Sequence, residues 1–189
     1  MLPASHAGVS RADARAEHED GLVAPKPGEG GWHVCHTRPR CEKKFAALLA
    51  AERFEHYLPL IASVRRYGAR TRHFSKQLFP GYVFARIERG RKSRVYQQDL
   101  LVRVITVADE AKFLGQLADV KLIVASGLEL SLHPLIKRGV SVRVVSGVLR
   151  GLVGVVDDPK NPKGIVITVD VLRQGLLVKV PMADLQPLP

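Results

Sequence analysis

The pattern of apolar and polar positions divides the chain into two regions of different character. In the first, alternation and helical repeats take turns. Trp32-His33-Val34-Cys35-His36 alternates as a strand does. Phe45, Leu48, Leu49 and Phe54 follow at helical spacing, with Thr37 as N-cap of a helix opened by Pro39; on that helix Arg40 and Lys44 share a face. Tyr57 to Ile61 is an apolar run broken by Pro59, which suits an edge strand. Pro80-Gly81 marks a turn, because proline presets φ and glycine permits positive φ. After it Tyr82, Phe84 and Arg86 point one way and Val83, Ala85 and Ile87 the other. Ser93 opens a short helix through Leu100. Val102 to Val107 reads as a strand by its β-branched content, and Asp109 caps a helix carrying Phe113, Leu114, Leu117, Val120 and Val124. The order β-α-β-β-(α)-β-α predicts an antiparallel sheet with helices packed on it.

The second region begins after residues 126–137, whose weak periodicity reads as a linker. From residue 138 onward short β-branched runs, such as Val140–Val145, Ile165–Val171 and Leu176–Val180, are punctuated by Gly147, Gly151 and Gly154. Strands this short with glycine turns predict a small SH3-like β-barrel over residues 138–189. The fold class is therefore α+β, with a sheet-and-helix domain at 31–125. Residues 1–30 hold few large apolar side chains and read as a disordered tail.

Charge narrows the function. The chain of 189 residues carries a net charge of +11. Residues 31–125 hold 18 basic against 8 acidic side chains, net +10, so the excess sits almost wholly there. A polyanion, nucleic acid first and an acidic protein surface second, is the partner this implies. The densest stretch is Val64–Lys76, with Arg65, Arg66, Arg70, Arg72, His73 and Lys76 interleaved with Tyr67 and Phe74. Basic side chains suit phosphates and aromatics suit bases; the alternative is a solvated charged loop. The aromatic face of the strand after Pro80-Gly81 has the same double reading: part of an ordinary core, or an anchor offered to another molecule.

Other chemistry is not signalled. His33, Cys35, His36 and Cys41 lack a paired Cys-x-x-Cys, and strand alternation separates His36 from His33 and Cys35, so neither metal nor cofactor is expected. No nucleophile–base–orienter set and no phosphate-binding Gly-Lys-Thr loop is present, which argues against an enzyme. Trp32 reads as core, and Lys160, Lys163 and Lys179 as solvated charges. Two cysteines, no apolar run of membrane-spanning length and no apolar N-terminal signal segment suggest a reduced, cytoplasmic protein with no membrane partner.

Four pieces, in order, resemble the NusG family of transcription elongation factors. Trp32-His-Val-Cys-His-Thr37 with Glu42-Lys-Lys44 is similar to its opening strand and helix, and Phe79-Pro-Gly-Tyr-Val-Phe84 to its most recognisable motif. Val102-Arg-Val-Ile-Thr106 sits where its next strand belongs, and Val142-Arg-Val144 with Gly147 and Gly154 resembles the KOW motif. The resemblance covers residues 31–189 and implies an N-terminal NGN domain, a C-terminal KOW barrel and a non-enzymatic, monomeric factor. It implies docking on the clamp helices of RNA polymerase through Phe79, Tyr82 and Phe84, with suppression of pausing or termination. It places Arg38, Arg40, Lys44, Arg65, Arg66, Arg70, Arg72 and Lys76 toward upstream or non-template DNA. It puts Leu149 and Arg150 at the KOW loop tip, where members touch a ribosomal small-subunit protein or Rho; members typically carry an aromatic where Leu149 stands. Thr37-Arg-Pro-Arg40 and Leu58-Pro-Leu60 are more similar to specialised, RfaH- or UpxY-like members than to the housekeeping factor. The alternative is an RNA- or ribosome-binding module, since KOW domains also occur in ribosomal proteins.

Overall fold

The computed structural model describes residues 30–67, 70–134, 139–156 and 164–189, with the side chains of 65–67, 70, 133 and 134 excepted. The tail at 1–29 and the lysines Lys160 and Lys163 lie outside the described residues.

Four antiparallel strands form the first sheet: β1 (Gly30–Thr37), β2 (His56–Tyr57), β5 (Tyr82–Glu88) and β6 (Leu101–Thr106), in the order β2-β5-β1-β6. The central strands are β1 and β5, in a register that sets Val34 opposite Phe84 and His36 opposite Tyr82. Because side chains alternate across the sheet, β5 feeds two cores. Val83, Ala85 and Ile87 join Cys35 under α1 (Glu42–Ala51), which contributes Phe45, Ala46 and Leu49. Phe84 joins Trp32 and Val34 under α3 (Glu110–Ser126), which contributes Phe113, Leu117, Val120 and Ile123. Leu114 projects outward and is 44% exposed. Phe84 sits edge-on to Phe113, with ring centroids 5.5 Å apart.

The helix starts differ from expectation in two cases and agree in one. Asp109 caps α3, its Oδ1 accepting from the Lys112 amide at 3.0 Å, and Gly127 closes the helix in the left-handed conformation. Thr37, in contrast, is the last residue of β1. The chain turns at Pro39 and at Arg40, which has φ 64°, and α1 begins only at Glu42 with Cys41 as N-cap. Arg40 therefore does not share a helix face with Lys44. The short helix α2 (Lys92–Tyr96) likewise starts without a side-chain cap from Ser93.

Pro59 ends β2, and the chain then enters a separate antiparallel hairpin, β3 (Leu60–Tyr67) with β4 (Arg70–Gln77). Its base is tied to α1, since Lys43 Nζ donates to Ser75 Oγ at 2.7 Å.

The remaining strands form one six-stranded antiparallel sheet: β7 (Leu130–Pro134), β8 (Val140–Val144), β9 (Val153–Val156), β10 (Ile165–Val169), β11 (Gln174–Val178) and β12 (Leu185–Pro187), in the order β12-β8-β9-β10-β11-β7. The stretch read as a linker contains β7, which pairs with β11. The expected C-terminal β-rich region is present, and among the described residues no closed barrel is found. The mixed α/β class stands.

The two sheets meet at α3. One core cluster runs from Trp32, Phe84 and Phe113 to Val144, Ile167 and Leu176. At its rim Lys112 Nζ lies 2.6 Å from Asp170 Oδ2, and the Asp170 amide donates to Gln116 Oε1 at 3.2 Å. Among the described residues no helix is long and apolar enough to cross a membrane.

Candidate interaction face

The Pro80–Gly81 bend is built from both ends of the N-terminal unit. Gly81 takes φ 84°, a conformation that favours glycine. The Thr37 amide donates to Gly81 O at 2.8 Å, and the Gly81 amide donates to Glu42 Oε1 at 2.7 Å. The bend is thus clamped between the end of β1 and the start of α1. Tyr82 emerges half-buried, and its ring stacks on His36 at 5.0 Å between centroids with planes 21° apart.

The three aromatics singled out from the sequence do not share one environment. Phe79 and Phe84 are both 0% exposed, packed edge-to-face at 6.0 Å inside the α3 core. Tyr82 alone has surface to offer. The open readings of this strand thus divide by residue: core for two rings, accessible face for one.

Around the bend lies basic surface. Arg38, Arg40, Lys44, Arg72, His73 and Lys76 are exposed, and among the described residues none of them has an ion-pair partner. The Lys43–Ser75 bond ties β4 to α1; alternation along β4 puts His73 and Ser75 on one face of the hairpin and Arg72, Phe74 and Lys76 on the other. In the hairpin, the register sets Arg65 opposite Arg72, Arg66 opposite Thr71 and Tyr67 opposite Arg70; the side chains of Arg65, Arg66 and Arg70 lie outside the described residues. Phe74, 41% exposed, stands among the basic positions.

In contrast, two arginines just beyond β5 are engaged within the chain. Arg91 lies over the Phe54 ring at 4.2 Å and donates to Glu52 O, while Arg94 reaches Glu52 Oε2 at 3.0 Å. These hold α2 on the core and are not free for a polyanion.

At the far end, the turn between β8 and β9 reverses one sequence expectation. Leu149 is 2% exposed and belongs to the core, while Val148 is 66% exposed. The Arg150 amide donates to Gly147 O and the Gly151 amide to Val144 O. This tight turn points Leu149 inward and leaves Val148 and Arg150 at the tip. Lys179 pairs with Glu129 at 2.8 Å.

Burial also decides the sulfur and imidazole groups. Burial pushes the Cys35 thiol up to about 12, so it stays protonated within the α1 core. His33 is held below its ordinary value, mainly by burial, and its Nδ1 bonds to Gly31 O at 2.7 Å. The residues that sequence reasoning passed over are His36, as partner of Tyr82, and Glu42, as clamp of Gly81. Neither contact has a local sequence signal, because each joins residues some forty positions apart.

A family model described as "Transcription termination factor nusG" matches residues 30–127, the segment that contains the bend and both of its clamps. Among curated proteins no sequence matches. Among solved structures, "Domain interaction in Thermotoga maritima NusG" is similar at 16% identity, covering 85% of this chain and 98% of that one, with a TM-score of 0.46. "Crystal Structure of MjSpt4:Spt5 complex conformation A" is similar at 15% identity, covering 83% of this chain and 97% of that one, with a TM-score of 0.29.

Proposed function

The chain belongs to the NusG family of non-enzymatic transcription factors, and from that premise we propose that it binds RNA polymerase through the face around Tyr82 and suppresses pausing or termination. The observation that carries the reading is the Tyr82–His36 stack: a half-buried aromatic pair on a clamped bend, inside the family-matched segment, with exposed Arg38 and Arg40, unpaired among the described residues, following His36 in the chain. A rigid aromatic anchor with a charged surround is the anatomy of a docking site. Phe79 and Phe84 support the anchor from beneath, and their role is to hold the strand rather than to touch the partner. The clamp helices of the polymerase are the proposed ground for Tyr82.

Arg38, Arg40, Lys44, Arg72 and Lys76, together with Arg65, Arg66 and Arg70, are proposed to approach upstream or non-template DNA. Their contribution is electrostatic and sequence-independent. A factor bound to both polymerase and DNA raises the cost of clamp movement and of rearrangement at the upstream bubble edge. Pausing needs those motions, so the bound state favours elongation. The Thr37–Arg40 and Leu58–Leu60 segments support assignment to the specialised, RfaH- or UpxY-like branch. Contact with a ribosomal small-subunit protein or Rho at the C-terminal sheet falls to Val148 and Arg150.

The test is a single-round transcription assay with the cognate polymerase. The expected result is shorter dwell at pause sites or more read-through at terminators when the purified chain is added. Unchanged pausing and termination would remove the reading.

A further inference from the structure

The β3–β4 hairpin has two unlike faces. Antiparallel pairing sets Ala62 opposite Ser75, Ser63 opposite Phe74 and Val64 opposite His73, and residues directly opposite share a face. Alternation therefore groups Arg72, Phe74 and Lys76 with Ser63 on one side, and His73 and Ser75 with Ala62 and Val64 on the other. The second side carries the tie to α1, where Ser75 Oγ accepts from Lys43 Nζ. On the first side Arg72, Phe74 and Lys76 are all exposed. The Phe74 ring is 41% exposed, and its cross-strand neighbour Ser63 is too small to cover it. Among the described residues no other ring and no cation lies on it. A single exposed ring is ordinary on a protein surface; the setting of this one is not. Arg72 and Lys76 occupy the alternate positions on either side of it, each about 7 Å along the strand, and neither has an ion-pair partner among the described residues.

We propose that this face is a platform for an unpaired DNA strand: Phe74 stacks on a base, and Arg72 and Lys76 hold the phosphates on either side of it. This rests on the DNA reading above and names the form of DNA that the hairpin takes. The ring is what selects the unpaired form. In a duplex the base faces are already stacked on one another, and the phosphate ridge that meets Arg72 and Lys76 offers Phe74 no apolar surface. An unpaired strand presents both kinds of group at once, a phosphate for each cation and a π-face between them. An acidic protein surface supplies carboxylates to the cations and leaves the ring in water. Since every base has a π-face, the preference is for an unpaired strand and not for a sequence. The division of labour follows: the two cations set affinity for any polyanion, and Phe74 sets the choice among them.

The test uses the full chain and fluorescence anisotropy with three labelled probes: a short mixed-sequence DNA strand, a strand of the same length that is abasic throughout, and the duplex. The abasic strand keeps the phosphates and lacks the bases. The parent is expected to bind the intact strand about 5- to 100-fold more tightly than the abasic one, the range that stacking of one base spans. Phe74→Leu keeps apolar bulk at the strand position and has no π-face; it should erase that difference and leave duplex binding unchanged. Phe74→Trp should preserve the difference, which separates loss of stacking from damage to the hairpin. Phe74→Leu should not alter the slope of log K against log salt, whereas Arg72→Ala and Lys76→Ala should each lower it by about 0.7 on the single strand. Equal binding of intact and abasic strands by the parent, a difference that survives Phe74→Leu, a loss on the duplex as large as on the strand, or polyglutamate binding with the same dependence on Phe74 would each overturn the proposal. If intact and abasic strands bind alike while Arg72→Ala still lowers the salt slope, this inference falls and the DNA reading stands. If none of the three probes binds, both fall.

Discussion

Lys112 and Asp170 face each other across the junction of α3 with the C-terminal sheet, Nζ to Oδ2 at 2.6 Å. The pair stands at the edge of the core cluster that both sheets share. The Lys112 hydrogen bond holds the Asp170 carboxyl below its ordinary range, and the same bond raises Lys112 above its own. The sign follows from linkage: a carboxyl with a depressed folded value stabilises the fold above the ordinary aspartate range, and that contribution is lost as pH falls through the depressed value. The matching lysine contribution is present below the ordinary lysine value and lost as pH rises through the raised one. An NMR titration of the Asp170 carboxyl should therefore show a midpoint below an ordinary aspartate, and Lys112→Met should move it back up. A midpoint unchanged by Lys112→Met would mean that the pair does not form in solution.

The inward turn of Leu149 has an energetic consequence. Leu149→Ala removes a buried side chain and should cost about 2–5 kcal/mol, while Val148→Ala, at an exposed tip, should fall within about 0.5 kcal/mol of the parent. Denaturant unfolding of both variants decides this. A reversed ranking would put Leu149 at the surface.

The bend itself is sensitive to a single methyl group. At Gly81 a Cβ would meet the His36 ring at 3.4 Å, and φ 84° is strained for any L side chain. Gly81→Ala should cost about 1–2 kcal/mol and disturb the Tyr82–His36 stack, visible as a shift of both ring resonances. An unperturbed stack in a fully stable variant would show that the clamp does not fix the bend.

DNA affinity should respond to salt before it responds to sequence. If the exposed cations meet phosphates, removing one, as in Arg72→Ala or Lys76→Ala, should lower the slope of log K against log salt by about 0.9 for each phosphate no longer neutralised. Equal weakening on unrelated duplexes is expected. A slope that does not change would place these residues away from DNA.

The alternation and helical spacing of residues 32–125 made the first sheet and α3 legible, because each element's apolar face is written in its own few residues. Asp109 and Gly127 mark the ends of α3 by local chemistry alone. The start of α1 was not legible: Thr37 is a good N-cap by type, but its position at the end of β1, hydrogen-bonded to Gly81, overrides that preference. Nor was β7, whose pairing with β11 joins residues some forty positions apart. The aromatic strand was legible as a pattern but not in its exposure, since alternation assigns Phe84 and Tyr82 to one face and only the cover of α3 over Phe84 separates them. Glu42 was invisible as a site residue because its partner, Gly81, is distant in sequence.

The most direct measurement is retention of the chain by its cognate RNA polymerase with Tyr82 altered. Phe79→Ala and Phe84→Ala are unsuited to this purpose, since each empties a core position at a cost of about 3–5 kcal/mol and confounds binding with folding. Tyr82→Ala, at a half-buried position packed against the edge of the α3 core, removes no fully buried side chain. The account predicts that the variant keeps the parent's unfolding midpoint to within a few degrees and is no longer retained by polymerase. A folded Tyr82→Ala variant retained as well as the parent would contradict it.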